Sequence, residues 1–226
     1  MNFFAQTSSF WPRLRPRMNR PFGLKYAYAT WTIVILNLLW FVVVEQARGL
    51  SESGLVNSGA LTPGAHWYQY ISAMFVHVSV MHIALNMFSL VSLYVVEFLL
   101  GWASFVSLYL ISGVFGNLLF NVLTPGVSAG ASGAIFGVFG AALALSLLHI
   151  LPKPVRNQLL VVLVLNLLYD FTQPDIGTSA HIGGLIAGMI LGAVFFRRGR
   201  GRTWVLILAV LCIFVSGWAM FQAFFQ

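Results

Sequence analysis

Ser132 and His181 are the side chains of this sequence best suited to nucleophilic chemistry. Ser132 lies in Gly130-Ala131-Ser132-Gly133, after the breaker Thr124-Pro125-Gly126 and at the head of an apolar run that ends near Ile150. That context places it at or just inside a helix N-terminus. Backbone N–H groups there have no intrahelical partner and carry the positive end of the helix dipole. They can stabilise a serine alkoxide or an oxyanion formed beside it. His181 opens a second apolar run, Thr178-Ser179-Ala180-His181-Ile182-Gly183-Gly184. An imidazole within hydrogen-bond reach of a hydroxyl gives a nucleophile with its general base. Either residue alone has a plainer reading, as helix packing for the serine and as a structural hydrogen bond for the histidine. Two glycine stripes favour the pair. Gly130, Gly133, Gly137 and Gly140 follow one run, and Gly184, Gly188 and Gly192 share a face with His181. Small faces of this kind let two helices approach closely.

A further pair could serve such a site. In His77-Val78-Ser79-Val80-Met81-His82-Ile83-Ala84-Leu85-Asn86, His82 and Asn86 are i, i+4 and share a helix face. Both donate hydrogen bonds without permanent charge, as an oxyanion hole requires. A zinc pair is a poor alternative, because the i, i+5 spacing of His77 and His82 does not suit a helix and no HExxH occurs. No metal or other cofactor is expected, and His77 reads as a junction residue. Phe136, one turn after Ser132, could pack its ring on the His181 imidazole. Tyr169-Asp170 lacks the second intramembrane aspartate that aspartyl chemistry needs. Asn37, Asn117, Asn121 and Asn166 read as interhelical hydrogen-bonding groups. Cys212, the single cysteine, sits in an apolar run and excludes an internal disulfide.

These residues need helices to hold them, and the composition supplies helices in a membrane. The 226-residue chain is 59% hydrophobic and only 8% charged, too little charge to cover a soluble surface. Only helices satisfy their own backbone in lipid in this way, so the chain reads as an all-α polytopic membrane protein. Apolar segments fall at about 26–45, 77–97, 102–123, 132–150, 158–171, 178–196 and 203–225, the fifth being short. Residues 1–11 are too polar for a signal-peptide core. The net charge of +7 does not indicate nucleic acid, because the basic residues are loop anchors. Arg13, Arg15, Arg17, Arg20, Lys25, Lys153, Arg156, Arg197, Arg198, Arg200 and Arg202 all fall on one side of a seven-span arrangement, the cytoplasmic one. Glu45, Glu52, Asp170 and Asp175 fall on the other, with Arg48 the basic exception. The fourth and sixth spans then both enter from the outer side, so Ser132 and His181 lie at similar depth. The apolar, aromatic loop 46–76 lies against the outer interface, either shaping a site or merely connecting spans.

Taken together, His82…Asn86 (HxxxN), Gly130-Ala131-Ser132-Gly133 (GxSG) and Ala180-His181-Ile182-Gly183-Gly184, in this order, resemble the rhomboid intramembrane serine proteases. The resemblance runs from about Tyr26 to Arg198. It implies a six-helix catalytic bundle over 26–198, after a basic cytoplasmic segment 1–25, with one extra C-terminal helix in 199–226. It also implies Ser132 as nucleophile and His181 as base and acid. His82, Asn86 and the Ser132 N–H would form the oxyanion hole, and Gly184-x-x-x-Gly188 the contact between spans four and six. Substrates would be transmembrane proteins cut near the outer surface, in a bacterial inner membrane with the site facing the periplasm or exterior. The alternative is a catalytically inactive rhomboid-like protein that binds membrane clients. Two positions depart from the family's pattern. Phe136 stands where many relatives have tyrosine, and Tyr68-Gln69 stand where many have Trp-Arg, which puts the usual anchoring of the first loop in doubt.

Overall fold

The computed structural model describes residues 23–124, 126–171 and 177–198, and they are helical almost throughout. The expected seventh span at 203–225 lies outside the described residues. So do Cys212, Asp175, Arg13, Arg15, Arg17, Arg20, Arg200 and Arg202. The chain forms α1 (Tyr28–Arg48), which widens into a π-type turn at Phe41–Glu45. The loop that follows carries two short helices, α2 (Glu52–Asn57) and α3 (Gln69–Ser72), and then a 3-10 turn at Ala73–Phe75. Next come α4 (Val80–Ser92), α5 (Tyr94–Leu100), α6 (Trp102–Leu123), α7 (Ser132–Leu147), α8 (Lys153–Phe171) and α9 (Thr178–Arg198). Of these, α1, α6 and α9 are long and apolar enough to cross a membrane individually. Among the described residues, sheet structure is limited to one isolated bridge.

Local chemistry explains the boundaries. Ser79 caps α4 by accepting a hydrogen bond from the His82 N–H at 3.1 Å, so the helix begins at Val80 and not at His77. Gly101, at φ +86°, ends α5 and starts α6, a backbone conformation that a side chain would strain. The fifth apolar segment is short, but the helix that contains it is not. Helix α8 has 19 residues because its polar first turn, with Pro154 just inside the start, is helical as well. The shorter helix is α7, with 16 residues.

α7 is the axis of the bundle, buried from Gly133 to Leu145 with few interruptions. Its partner is α9, which runs parallel to it. A Cβ on Gly184 would land on the Gly133 carbonyl, one on Gly188 on the Gly137 carbonyl, and one on Gly192 on Ala141. The register therefore stays constant over two turns. Gly130 does not belong to this stripe, since it precedes the helix in irregular chain.

At the opposite end from Ser132, Glu97 of α5 is fully buried, at 0% exposure. Its carboxylate accepts hydrogen bonds from the Thr30 N–H and Oγ1, both at 2.9 Å, and from the Ala29 N–H at 3.3 Å. A carboxylate thus satisfies the orphan donors at the α1 N-terminus inside an apolar bundle. Asn117 and Asn166 do bond outside their own helices, to the Tyr70 carbonyl and to Ser89, and Asn121 bonds the Tyr70 hydroxyl. Asn37 donates within its own helix, to the Ile33 carbonyl.

Candidate active site

The site lies where the N-termini of α4, α7 and α9 converge. Helix α7 begins at Ser132 itself, and the His181 N–H and the Ala180 N–H close the first turn of α9 onto the Gly177 carbonyl. The constant glycine register of α7 on α9 carries upward to these first turns. Ser132 Oγ lies 2.7 Å from His181 Nε2, within direct hydrogen-bond distance. His181 is 3% exposed, and the Phe136 ring stacks flat on its imidazole, with centroids 4.2 Å apart and planes 1° from parallel. Stacking fixes the plane of the base, which must aim Nε2 at the hydroxyl. Thr124 Oγ1 and Ser179 Oγ, 2.8 Å apart, hold the end of α6 to the start of α9.

Gly130 connects His82 to this pair. At φ +130° it has the conformation that favours glycine, and a Cβ there would sit 2.7 Å from His82 Cε1 and 2.9 Å from His82 Nε2. The same point is 3.6 Å from Ser132 Oγ. The missing side chain therefore leaves a small space bordered by the hydroxyl and by an imidazole nitrogen. One turn along α4 from His82, Asn86 is 3% exposed, and its Nδ2 is buried without a hydrogen-bond partner among the described residues. A buried orphan donor is costly unless something else accepts from it. Donors of this kind beside a nucleophile suit a developing oxyanion. Among the described residues no group of three His, Cys, Asp or Glu side chains is placed to hold a metal ion.

The first loop packs as part of the site. Leu55, Ala60 and Val76 are buried against Trp40, Val127 and Ala129, and Leu61, Tyr70 and Ala73 against Phe120 and Ala180. Leu61 and Ser128 exchange backbone hydrogen bonds of 2.8 and 2.9 Å, and the Gly130 N–H donates to the Ala73 carbonyl at 2.9 Å. The segment leading into Ser132 is thus held at two points by the loop. The loop is held in turn by Gln69, which is 6% exposed. Its Oε1 accepts from the His66 N–H at 2.9 Å, and its Nε2 donates to the Ala60 carbonyl at 2.7 Å. A neutral amide at Gln69 ties the two limbs of the loop together, while Tyr68 is 48% exposed and turned outward. Sequence reading missed Gln69 and Gly130 as site-shaping residues. Their hydrogen-bond partners are backbone groups, the Ala73 carbonyl for Gly130 and the His66 N–H and Ala60 carbonyl for Gln69, which no side-chain pattern announces.

Fold and site define a multi-pass helical membrane protein with a serine–histidine pair inside its bundle. A rhomboid domain matches residues 64–198, and the chain belongs to the rhomboid family. It is 34% identical over 172 residues to Rhomboid protease GluP of Bacillus subtilis, covering 73% of this chain and 34% of that protein. It is also 34% identical over 158 residues to RHOMBOID-like protein 5 of Arabidopsis thaliana, covering 66% of this chain and 50% of that one. RHOMBOID-like protein 1 of the same plant is 32% identical over 155 residues, covering 66% and 40%. The chain spans a third to a half of the length of these relatives.

Proposed function

We propose that this protein is an intramembrane serine endopeptidase that cleaves transmembrane segments of other membrane proteins. Ser132 is the nucleophile and His181 the general base and acid. The 2.7 Å contact between Ser132 Oγ and His181 Nε2, inside a bundle of the rhomboid family, carries this reading. Similarity to a protein named as a rhomboid protease supports the same chemistry.

His181 Nε2 accepts the hydroxyl proton as Oγ adds to the scissile carbonyl. The negative charge that develops on the carbonyl oxygen is met by the Ser132 N–H, His82 and Asn86. Collapse of the tetrahedral intermediate breaks the C–N bond, and the imidazolium returns its proton to the leaving amine. This leaves an ester on Ser132, and a water activated by the same imidazole hydrolyses it. Water must therefore reach the end of α7. A 16-residue helix is about 24 Å long against a hydrocarbon layer of about 30 Å, so α7 falls short of that layer and leaves Ser132 below the bilayer surface on its own side. Lys25, Lys153, Arg156 and Arg197 border the opposite ends of the helices, which supports a site on the non-cytoplasmic side. A bacterial inner membrane, with the site toward the periplasm or exterior, fits this orientation.

A fluorophosphonate probe tests the nucleophile directly. It is expected to tag Ser132, identified by peptide mass spectrometry, and to leave the Ser132→Ala variant untagged. A wild-type protein that stays unlabelled would favour the client-binding, non-catalytic rhomboid-like alternative. Asn86→Ala is expected to slow cleavage of a reconstituted transmembrane substrate by about 10²–10³-fold, the usual cost of one oxyanion donor. Because Nδ2 has no partner in the resting protein, thermal stability should not fall in parallel. A normal rate in this variant removes Asn86 from the hole.

A further inference from the structure

His77 is fully buried, at 0% exposure, in the short link between the Ala73–Phe75 turn and α4. Its Nδ1–H donates to the Phe75 carbonyl at 3.1 Å, which anchors the ring to that turn. The edge of the His77 ring meets the His82 ring, with centroids 5.3 Å apart and planes at 64°. Gly130 lies against the His82 ring as well, and its N–H is bonded to the Ala73 carbonyl. One turn of chain thus controls two walls around a single imidazole: Gly130 through Ala73, and His77 through Phe75.

We propose that His77 is a positioning residue that sets the plane of the His82 imidazole, and so aims its N–H at the oxyanion. This rests on the oxyanion-hole role given to His82 above. The ring of His77 is the active feature, and its bond to Phe75 is the anchor. Edge-to-face aromatic contacts favour one relative orientation over the others. A donor misaimed by about an ångström costs rate without weakening substrate binding.

The test uses full-length protein in liposomes with a transmembrane substrate, and compares His77→Asn and His77→Phe in wild-type and His82→Ala backgrounds. Asn keeps a donor for the Phe75 carbonyl but has no ring, whereas Phe keeps a ring. His77→Asn is expected to lower kcat roughly ten-fold with KM unchanged. His77→Phe should lose less. In the His82→Ala background neither change should slow the enzyme further, because the positioned group is gone. Losses that multiply in full with that of His82→Ala would overturn the inference and leave a packing role. So would a change confined to KM. If His77→Asn does not fold, His77→Phe in the two backgrounds decides in the same way. If His82→Ala cleaves at the wild-type rate, the oxyanion role of His82 and this inference fall together. The Ser132 labelling experiment then still judges the nucleophile by itself.

Discussion

Ser132→Ala and His181→Ala are each expected to lower cleavage of a reconstituted transmembrane substrate by on the order of 10⁴-fold or more, and the double variant to be no slower than either alone. The reason is that the two side chains act as one unit across a 2.7 Å hydrogen bond. A neutral hydroxyl does not add to an amide carbonyl unless its proton has somewhere to go. The imidazole is useful only if the same proton can then pass to the amine. Removing either partner removes both steps, and what remains is the donors around the oxyanion. Stability should change far less, because one intramolecular hydrogen bond contributes about 1 kcal/mol net. Melting of the purified variants therefore separates lost chemistry from lost fold. Independent, multiplicative losses in the double variant would sink the proton-transfer pair. So would folded His181→Ala protein that cleaves at the wild-type rate.

Much of this arrangement was legible in the sequence, and the reasons are specific. The span Trp102–Leu123 was placed to the residue, because Gly101 and Thr124-Pro125 bracket an unbroken apolar run. The closeness of α7 and α9 was legible because glycine at helical spacing on two segments of the same polarity has few other uses in a membrane. Hydropathy failed where helix and apolar run are not the same thing. The first turn of α8, Lys153 to Gln158, is polar and helical. Gly130 looked like part of a stripe because its spacing is helical, yet it precedes the helix and its backbone stands at φ +130°.

Nothing local revealed Glu97 as a cap for α1, since its partners Ala29 and Thr30 come from a different helix. The first loop was the largest gap. Between a working element and a connector, the decision rests on hydrogen bonds between backbone groups such as Leu61 and Ser128, and backbone has no sequence signature. Replacement of Trp-Arg by Tyr68-Gln69 reads as a loss until Gln69 is seen spanning from the His66 amide to the Ala60 carbonyl. In this chain a planar amide that both donates and accepts fills that gap.

Gly188→Ala tests the geometric premise from a distance, and is expected to reduce cleavage by about 10²-fold or more without touching any reacting atom. The new methyl would be driven into the Gly137 carbonyl oxygen, which is backbone of a buried helix and cannot rotate away. The helices must separate there by roughly an ångström, since carbon and oxygen do not pack closer than van der Waals contact. Ser132 and His181 lie near the same ends of those helices, so the separation stretches the 2.7 Å hydrogen bond beyond the reach of proton transfer. Gly192→Ala, which meets the Ala141 Cα at 2.6 Å one turn farther from the dyad, should cost less, and Gly184→Ala, opposite Gly133, more. This ordering sets a lever about the dyad against simple destabilisation, which would follow burial alone. If folded Gly188→Ala cleaves normally, or if the three substitutions rank in the reverse order, α7 and α9 do not owe their catalytic spacing to the glycine contact.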